Sequence, residues 1–302
     1  MCHSREVSTP PKEFAFDVVV VGSANLDLVA TLDHLPKPGE TIVALDYAEH
    51  AGGKGVNQAV ACARMGARTA FVGCVGNDDA GLFLRGVLEK EGIETTMLRV
   101  VDMPTGRAFI NVDRSGENEI VVVSGANTQV GIAQNPLVLP TSRVLLMQLE
   151  IPLTTVATAL AAARKSGTVT VLNPAPYRDL TGEIFLLVDV IVPNETESVA
   201  CGGTQALLAA GVATVVTTLA EKGAVINTAS SETSIAPHRV VAVDTVGAGD
   251  AFIGALSAEI ARGATISDAA RVGAVAGALA TTVHGAVPSL PTRDVVRKAM
   301  GK

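Results

Sequence analysis

The chain contains no tryptophan, its aromatic content is 3% and its charged content 18%, and it has four cysteines in 302 residues. Each scarcity removes a class of explanation. With few charges and 48% hydrophobic residues, the composition is that of a folded chain and not of a disordered one. Lysine and arginine total 23 against 30 acidic residues, a net charge of −7, so the basic stripe that nucleic acid or an anionic membrane requires is missing. No nucleic-acid or membrane partner is expected, and any phosphate must be bound by local geometry. Cys2, Cys62, Cys74 and Cys201 lack CxxC spacing, which reads as free thiols in a reducing, cytoplasmic setting. The five histidines are scattered without metal-ligand spacing, which argues against zinc. No apolar run approaches the ~18 residues of a membrane span, the nearest being VGAVAGALATTV. The opening MCHSREVSTPPKEF has no apolar core, so residues 1–15 read as a disordered tail and not as a signal peptide or anchor.

Alanine, glycine and valine are abundant instead, which suits helices lying close on a sheet. Continuous apolar, β-branched runs occur at 17–23, 69–76, 143–150, 169–175, 189–194 and 212–220. Between them VNQAVACARMGA, GLFLRGVLEKEG and LTTVATALAAARKSG carry apolar residues at helical spacing. Strands apolar on both faces and joined by helices predict a three-layer αβα core around a mostly parallel sheet.

Two stretches break this rhythm. Residues 28–50 and 106–123 hold short alternating segments around the turn signals PKPGE and DRSGEN and read as two hairpins. They are expected to pair into a small β-sheet lid, leaving 16–27, 51–105 and 124–302 as the α/β core.

In an open α/β sheet, ligands gather at the carboxyl ends of the strands. The residues there form a coherent set: Asn25 and Asp27 after the first run, AGGKGVN with Gly53, Lys54 and Asn57 at a helix start, Glu150, Asn194 and Glu197 in PNETE, and Thr218. Late in the chain DTVGAGD, residues 244–250, joins an apolar run to the helix-like AFIGALSAEIA. Such a junction exposes backbone N–H groups without helical acceptors, and glycine lets a ligand approach them. The N–H groups of Gly247, Ala248 and Gly249 are suited to an anion, aided by the helix dipole, with the Asp250 carboxylate immediately following.

These residues carry a family resemblance. AGGKGVNQAVACARMGARTAFVGCVGNDDAG resembles the N-terminal signature of the PfkB carbohydrate kinases, and DTVGAGDAF their C-terminal one. With LLMQLE, LNPAP and PNETE in this order, the pattern resembles the family members that act on ribose, over residues 17 to 298. The resemblance implies transfer of the γ-phosphate of ATP to the 5-hydroxyl of D-ribose, Mg²⁺ on the nucleotide, a structural K⁺, a core sheet of about nine strands and a homodimer through the lid. By motif match, Asp250 is the base and Gly247, Ala248 and Gly249 the anion hole. Asn25, Asp27, Gly53, Lys54, Asn57, Glu150 and Asp250 hold the sugar. Asn194, Glu197, Thr218, Ala220, Gly223 and Gly249 face the nucleotide. Asp244, Val246, Ala280, Val283, Gly285 and Ser289 surround K⁺. The chain departs from the family pattern at Ala220, where a glycine is usual in TTLAEKG, and at Ala274, where relatives often have Asn or His. The segment CGGTQALLAAG after PNETE is short.

Rival readings are weaker. A dinucleotide-binding oxidoreductase would need glycine or alanine where GAGDAF has Phe252, no Walker A pattern is present, and a non-catalytic sugar sensor on this fold would have lost Asp250 or the glycines. Another sugar or a nucleoside, such as deoxyribose, fructose or adenosine, is the alternative substrate.

Overall fold

A computed structural model of the chain describes residues 13–301. The tail expected over 1–15 therefore lies almost entirely outside the described residues. Its last residue, Ala15, donates its N–H to the Thr141 hydroxyl at 3.1 Å, just before the first strand.

In chain order the elements are β1 (Phe16–Val21), β2 (Asn25–Thr31), β3 (Asp46–Gly52), α1 (Lys54–Arg64), β4 (Thr69–Gly76), α2 (Asp79–Lys90), β5 (Leu98–Val101), β6 (Gly106–Val112), β7 (Asn118–Val123) and β8 (Ser142–Met147). They continue with α3 (Leu153–Lys165), β9 (Val169–Leu172), α4 (Gly182–Phe185), β10 (Val190–Ile191), α5 (Glu195–Ala200), α6 (Thr204–Ala209), β11 (Thr214–Thr218), β12 (Ala224–Asn227) and β13 (Glu232–Ile235). Helices α7 (Ala248–Ala261), α8 (Ile266–Ala280), α9 (Ala286–Ser289) and α10 (Arg293–Ala299) complete the chain.

Nine strands form the main sheet in the order β13-β12-β11-β10-β9-β8-β1-β4-β5. From β11 to β5 all neighbours are parallel, and β12 and β13 add an antiparallel margin. The central strands show why both faces had to be covered. In β1, Val18 and Val20 enter one core with α1, α2, α7 and α8, whereas Val19 and Val21 enter the opposite core with α3, α4 and α6. In β8, Val144 and Leu146 divide from Leu145 and Met147 in the same way. A strand flanked by water on one side could not carry such an unbroken apolar run.

Small residues let the helices approach closely. A Cβ at Gly254 of α7 would overlap Ala61 of α1, and Gly273 and Gly277 of α8 lie against Phe252 and the Ala248 carbonyl of α7. The expected core of helices and a mostly parallel sheet is thus present.

The second sheet has four strands in the order β3-β2-β6-β7. Strands β2 and β3 are antiparallel, as are β6 and β7, and the two hairpins join through a parallel β2–β6 seam. Strand β2 already begins at Asn25, and β3 runs on to Gly52. Among the described residues, no helix is long and apolar enough to cross a membrane, and Cys62, Cys74 and Cys201 are free thiols.

Candidate active site

The residues that end the main strands and begin α1 and α7 meet at the carboxyl edge of the main sheet. Helix α1 starts directly behind β3 because Gly53 serves as its N-cap at φ 83°, a left-handed region that side chains disfavour. A Cβ on Gly53 would lie 2.9 Å from the Asn25 nitrogen, and one on Gly52 would overlap the Asp27 carboxylate. The glycines therefore allow β2, with Asn25 and Asp27, to lie against the start of α1.

Glu150, three residues beyond β8, anchors the same corner. Its Oε2 accepts the Lys54 N–H at 2.9 Å and the Ser23 hydroxyl, and Ser23 Oγ in turn accepts the Gly55 N–H at 3.2 Å. Asn25 is buried, and its Oδ1 accepts from Asn127 Nδ2 at 2.7 Å. Asn127 Oδ1 accepts the Ala24 N–H at 2.9 Å, fixing the β1–β2 corner.

Helix α7 supplies the opposite wall. Gly247 is its N-cap in the left-handed conformation at φ 80°, and a Cβ there would come within 3.0 Å of Ala286. The Ala248 N–H reaches back to the Thr245 carbonyl at a long 3.3 Å, and Gly249 is exposed with open space around its Cβ direction. The first-turn N–H groups of a helix lack intrahelical acceptors, so this end presents a positive partial charge. Asp250 follows, 7% exposed, with Oδ2 accepting from Asn57 Nδ2 at 3.0 Å and Oδ1 from Gln58 Nε2 at 2.8 Å.

Four carboxylates and one ammonium share this corner. Burial, and then the charges of Glu150 and Asp250, push the Asp27 carboxyl up to about 7. For Lys54, burial alone would lower the ammonium pKa, but Asp250, Glu150 and Glu197 outweigh it and hold it above the usual lysine range. Burial raises Glu197 as well, against the opposing Asn194 hydrogen bond and the Lys54 charge. Asp27, Lys54, Asn57, Glu150, Glu197 and Asp250 thus form one electrostatic unit.

Asn194 and Glu197 also cap α5 reciprocally: Asn194 Oδ1 accepts the Glu197 N–H at 2.8 Å and Glu197 Oε2 accepts the Asn194 N–H at 2.9 Å. Glu197 Oε1 is left out of this box. Thr218, at the end of β11, donates its N–H to Pro193 at 2.9 Å, which brings it beside Asn194. Ala220 sits at φ 49°, the only non-glycine residue of positive φ among the described residues, and Gly223 at φ 91° closes that turn. The site where a glycine is usual therefore has the backbone of a glycine.

Behind Gly247, Asp244 Oδ1 accepts the Val246 N–H at 2.9 Å and Oδ2 the Gly285 N–H at 2.8 Å. The Val243 and Asp244 N–H groups both donate to Thr281, so the 280–285 turn is stitched to the DTVGAGD segment. Ser289 is buried and donates to Ala286 at 2.8 Å. Val283 is half exposed and donates its N–H to the Ala280 carbonyl at 3.3 Å within the same turn. A cavity of about 260 Å³ beside Cys74, Arg99 and Leu137 contains none of the residues named above.

Sequence reasoning passed over Ser23, Gln58, Asn127, Gln148 and Asn173. For Gln148 and Asn173 a signal was available, since an amide inside the apolar run LLMQLE, or at the end of VTVL, is buried and needs partners, though the sequence does not say which.

The pfkB family carbohydrate kinases match this chain over residues 15–293. The ribokinase of Haemophilus influenzae is 40% identical over 293 residues, covering 92% of this chain and 96% of that protein. The solved structure of ribokinase from Thermotoga maritima has a TM-score of 0.85 at 36% identity, covering 94% of this chain and 99% of its own. That of Arabidopsis thaliana ribokinase, complexed with ribose and ATP, has a TM-score of 0.85 at 32% identity, with 96% and 100% covered. A match over nearly the whole chain, with relatives well above 30% identity along most of their length, shows that the chain belongs to the pfkB family of carbohydrate kinases.

Proposed function

We propose that this protein transfers the γ-phosphoryl group of ATP to the 5-hydroxyl of D-ribose, giving D-ribose 5-phosphate and ADP. The carrying observation is the junction of Asp250 with the glycine-started N-terminus of α7, facing the Asp27–Lys54–Glu150 cluster. A loose phosphoryl-transfer transition state spreads negative charge over equatorial oxygens, so donors and position matter more than covalent chemistry. Gly247, Ala248 and Gly249 supply the donors. Asp250 takes the proton of the sugar hydroxyl as that oxygen bonds to phosphorus and the bond to ADP breaks.

Asn25, Asp27, Gly53, Lys54, Asn57 and Glu150 hold the sugar. A polyol needs both donors and acceptors at fixed positions, and this set offers amides, carboxylates and one ammonium. Asn194, Glu197, Thr218, Ala220, Gly223 and Gly249 serve the nucleotide. Glu197 Oε1 is a hard oxygen free of the capping box, so Glu197 with Asn194 would hold the Mg²⁺ that neutralises phosphate charge. Asp244 with groups of Val246, Ala280, Val283, Gly285 and Ser289 would hold K⁺, oxygen ligands being the chemistry that suits a hard cation, and the ion would stiffen the anion hole from behind.

The second sheet acts as the lid. Asp27, Ala108 and Val122 stand opposite one another across β2, β6 and β7, so the face that carries Asp27 extends into apolar residues able to exclude water. The protein works in the cytoplasm, and the edge strand β7 is its dimer contact.

The test is ADP release measured over D-ribose, 2-deoxy-D-ribose, D-fructose and adenosine, with and without K⁺. Highest kcat/KM on ribose is expected, with stimulation by K⁺. A preference for fructose or adenosine, or no sugar-dependent ADP release, overturns the reading.

A further inference from the structure

We propose that Gln58 is a positioning residue for Asp250, held in one orientation by Gln148 and Asn173. The inference rests on reading Asp250 as the base.

The argument is one of direction. The Val192 carbonyl can only accept, so Asn173 presents Nδ2 to it, at 3.0 Å. That choice turns Asn173 Oδ1 toward Gln58 Nε2, at 3.1 Å. Gln58 Nε2 then spends one hydrogen on Asn173 and the other on Asp250 Oδ1, at 2.8 Å. Its Oε1 accepts from Gln148 Nε2 at 2.6 Å. Reversing Gln58 would set its oxygen against two acceptors, Asn173 Oδ1 and Asp250 Oδ1. Gln58 and Gln148 are 0% exposed and Asn173 4%, so bulk water cannot repair such a reversal. The relay has one consistent arrangement, and it ends on the carboxylate.

The neighbouring residue completes the grip. Asn57 donates to Asp250 Oδ2 at 3.0 Å, so adjacent amides of α1 bracket both oxygens. Each amide is a neutral donor that fixes the plane of the carboxylate and leaves a lone pair on each oxygen. The relay also ties Asp250 to the ends of β8, β9 and β10 in the buried main sheet, and not to the second sheet. Gln58 therefore sets where the base stands, and Lys54 and Asn57 on the same helix set where the sugar stands.

The test compares Gln58→Met, Gln148→Met, Asp250→Asn and the Gln58→Met/Asp250→Asn double variant, each checked by thermal melting. Gln58→Met is expected to lower kcat by ~10- to 10²-fold with the ribose KM within about twofold, as for a misplaced catalytic group. Gln148→Met, which touches neither Asp250 nor the site, should lower kcat in the same direction by less, and it carries the test if Gln58→Met does not fold. In the Asp250→Asn background, Gln58→Met should cost nothing further. An unchanged kcat in both methionine variants, or the same fold loss with and without Asp250, overturns the proposal while Asp250→Asn remains inactive. Near-normal activity of Asp250→Asn instead removes the base assignment, and this inference with it.

Discussion

Glu150 Oε2 accepts the main-chain N–H of Lys54 at 2.9 Å, closing a contact between residues 96 positions apart. The same oxygen accepts the Ser23 hydroxyl, so one carboxylate fastens the end of β8 to the start of both β2 and α1. Glu150→Ala would strand these donors in a partly buried corner. It is expected to cost ~1–3 kcal/mol of stability and to raise the ribose KM. Glu150→Gln keeps one acceptor oxygen and should lose less stability while still weakening sugar binding. Urea unfolding and steady-state kinetics on the pair check this, and an unchanged ribose KM in both variants would remove Glu150 from the sugar site.

The Asp27 carboxyl, raised to about 7 by burial and by Glu150 and Asp250, makes stability depend on pH in a defined direction. Between 3.8, the ordinary value of an aspartate, and about 7, the folded protein holds a proton that the unfolded chain has released, so stability falls as pH rises through this window. At ~1.4 kcal/mol per pKa unit the effect is a few kcal/mol. Asp27→Asn removes it. Melting temperatures of the two proteins should nearly coincide at pH 4, with the variant several degrees higher at pH 8.5. A variant less stable than the parent at pH 8.5 contradicts the burial argument.

How far this was legible in the sequence follows from where each residue sits. Strands β1, β4 and β8 read clearly because both of their faces are buried. Strands β5, β12 and β13 did not, since each has only four residues, with an apolar run too short to stand out in LRVV and AVIN and none in ETSI. The run expected over 189–194 contracts to Val190–Ile191, because the residues after it turn into the α5 cap. The positions of Asn57, Lys54, Glu150 and Asp250 were visible as motifs. The relay through Gln58, Gln148 and Asn173 was not, because pairing between buried amides depends on the packing of three strands and a helix, which no local periodicity records.

Ala220 offers a direct measure of a departure from the family pattern. A non-glycine residue in the left-handed region costs ~1–2 kcal/mol, and glycine gives back ~0.5–1 kcal/mol through unfolded-state entropy. Ala220→Gly should therefore raise unfolding stability by up to ~1 kcal/mol and lower the KM for ATP by removing a methyl group from the nucleotide side. Ala220→Val, β-branched at the same φ, should lose stability. A glycine variant less stable than the parent would mean that the turn is held by something other than backbone preference.

Strand β7 is the margin of the second sheet, with Ile120, Val121, Val122 and Val123 at 53%, 62%, 47% and 51% exposure. Val121 stands opposite Phe109, itself 46% exposed, so an apolar row lies beside an unpaired strand edge. Natural edges are blunted with charge or covered, and this one carries Glu119 alone among its last five residues. A covered edge fits the proposed dimer, and a lysine at Val121 would place a charge within the contact. Val121→Lys should shift sedimentation from dimer toward monomer at micromolar concentration while leaving the melting transition of the core intact. It should also raise the ribose KM, because β7 pairs with β6 and β6 with β2, the strand that carries Asp27. A parent protein that sediments as a monomer, or a Val121→Lys variant that stays dimeric, would place the contact elsewhere.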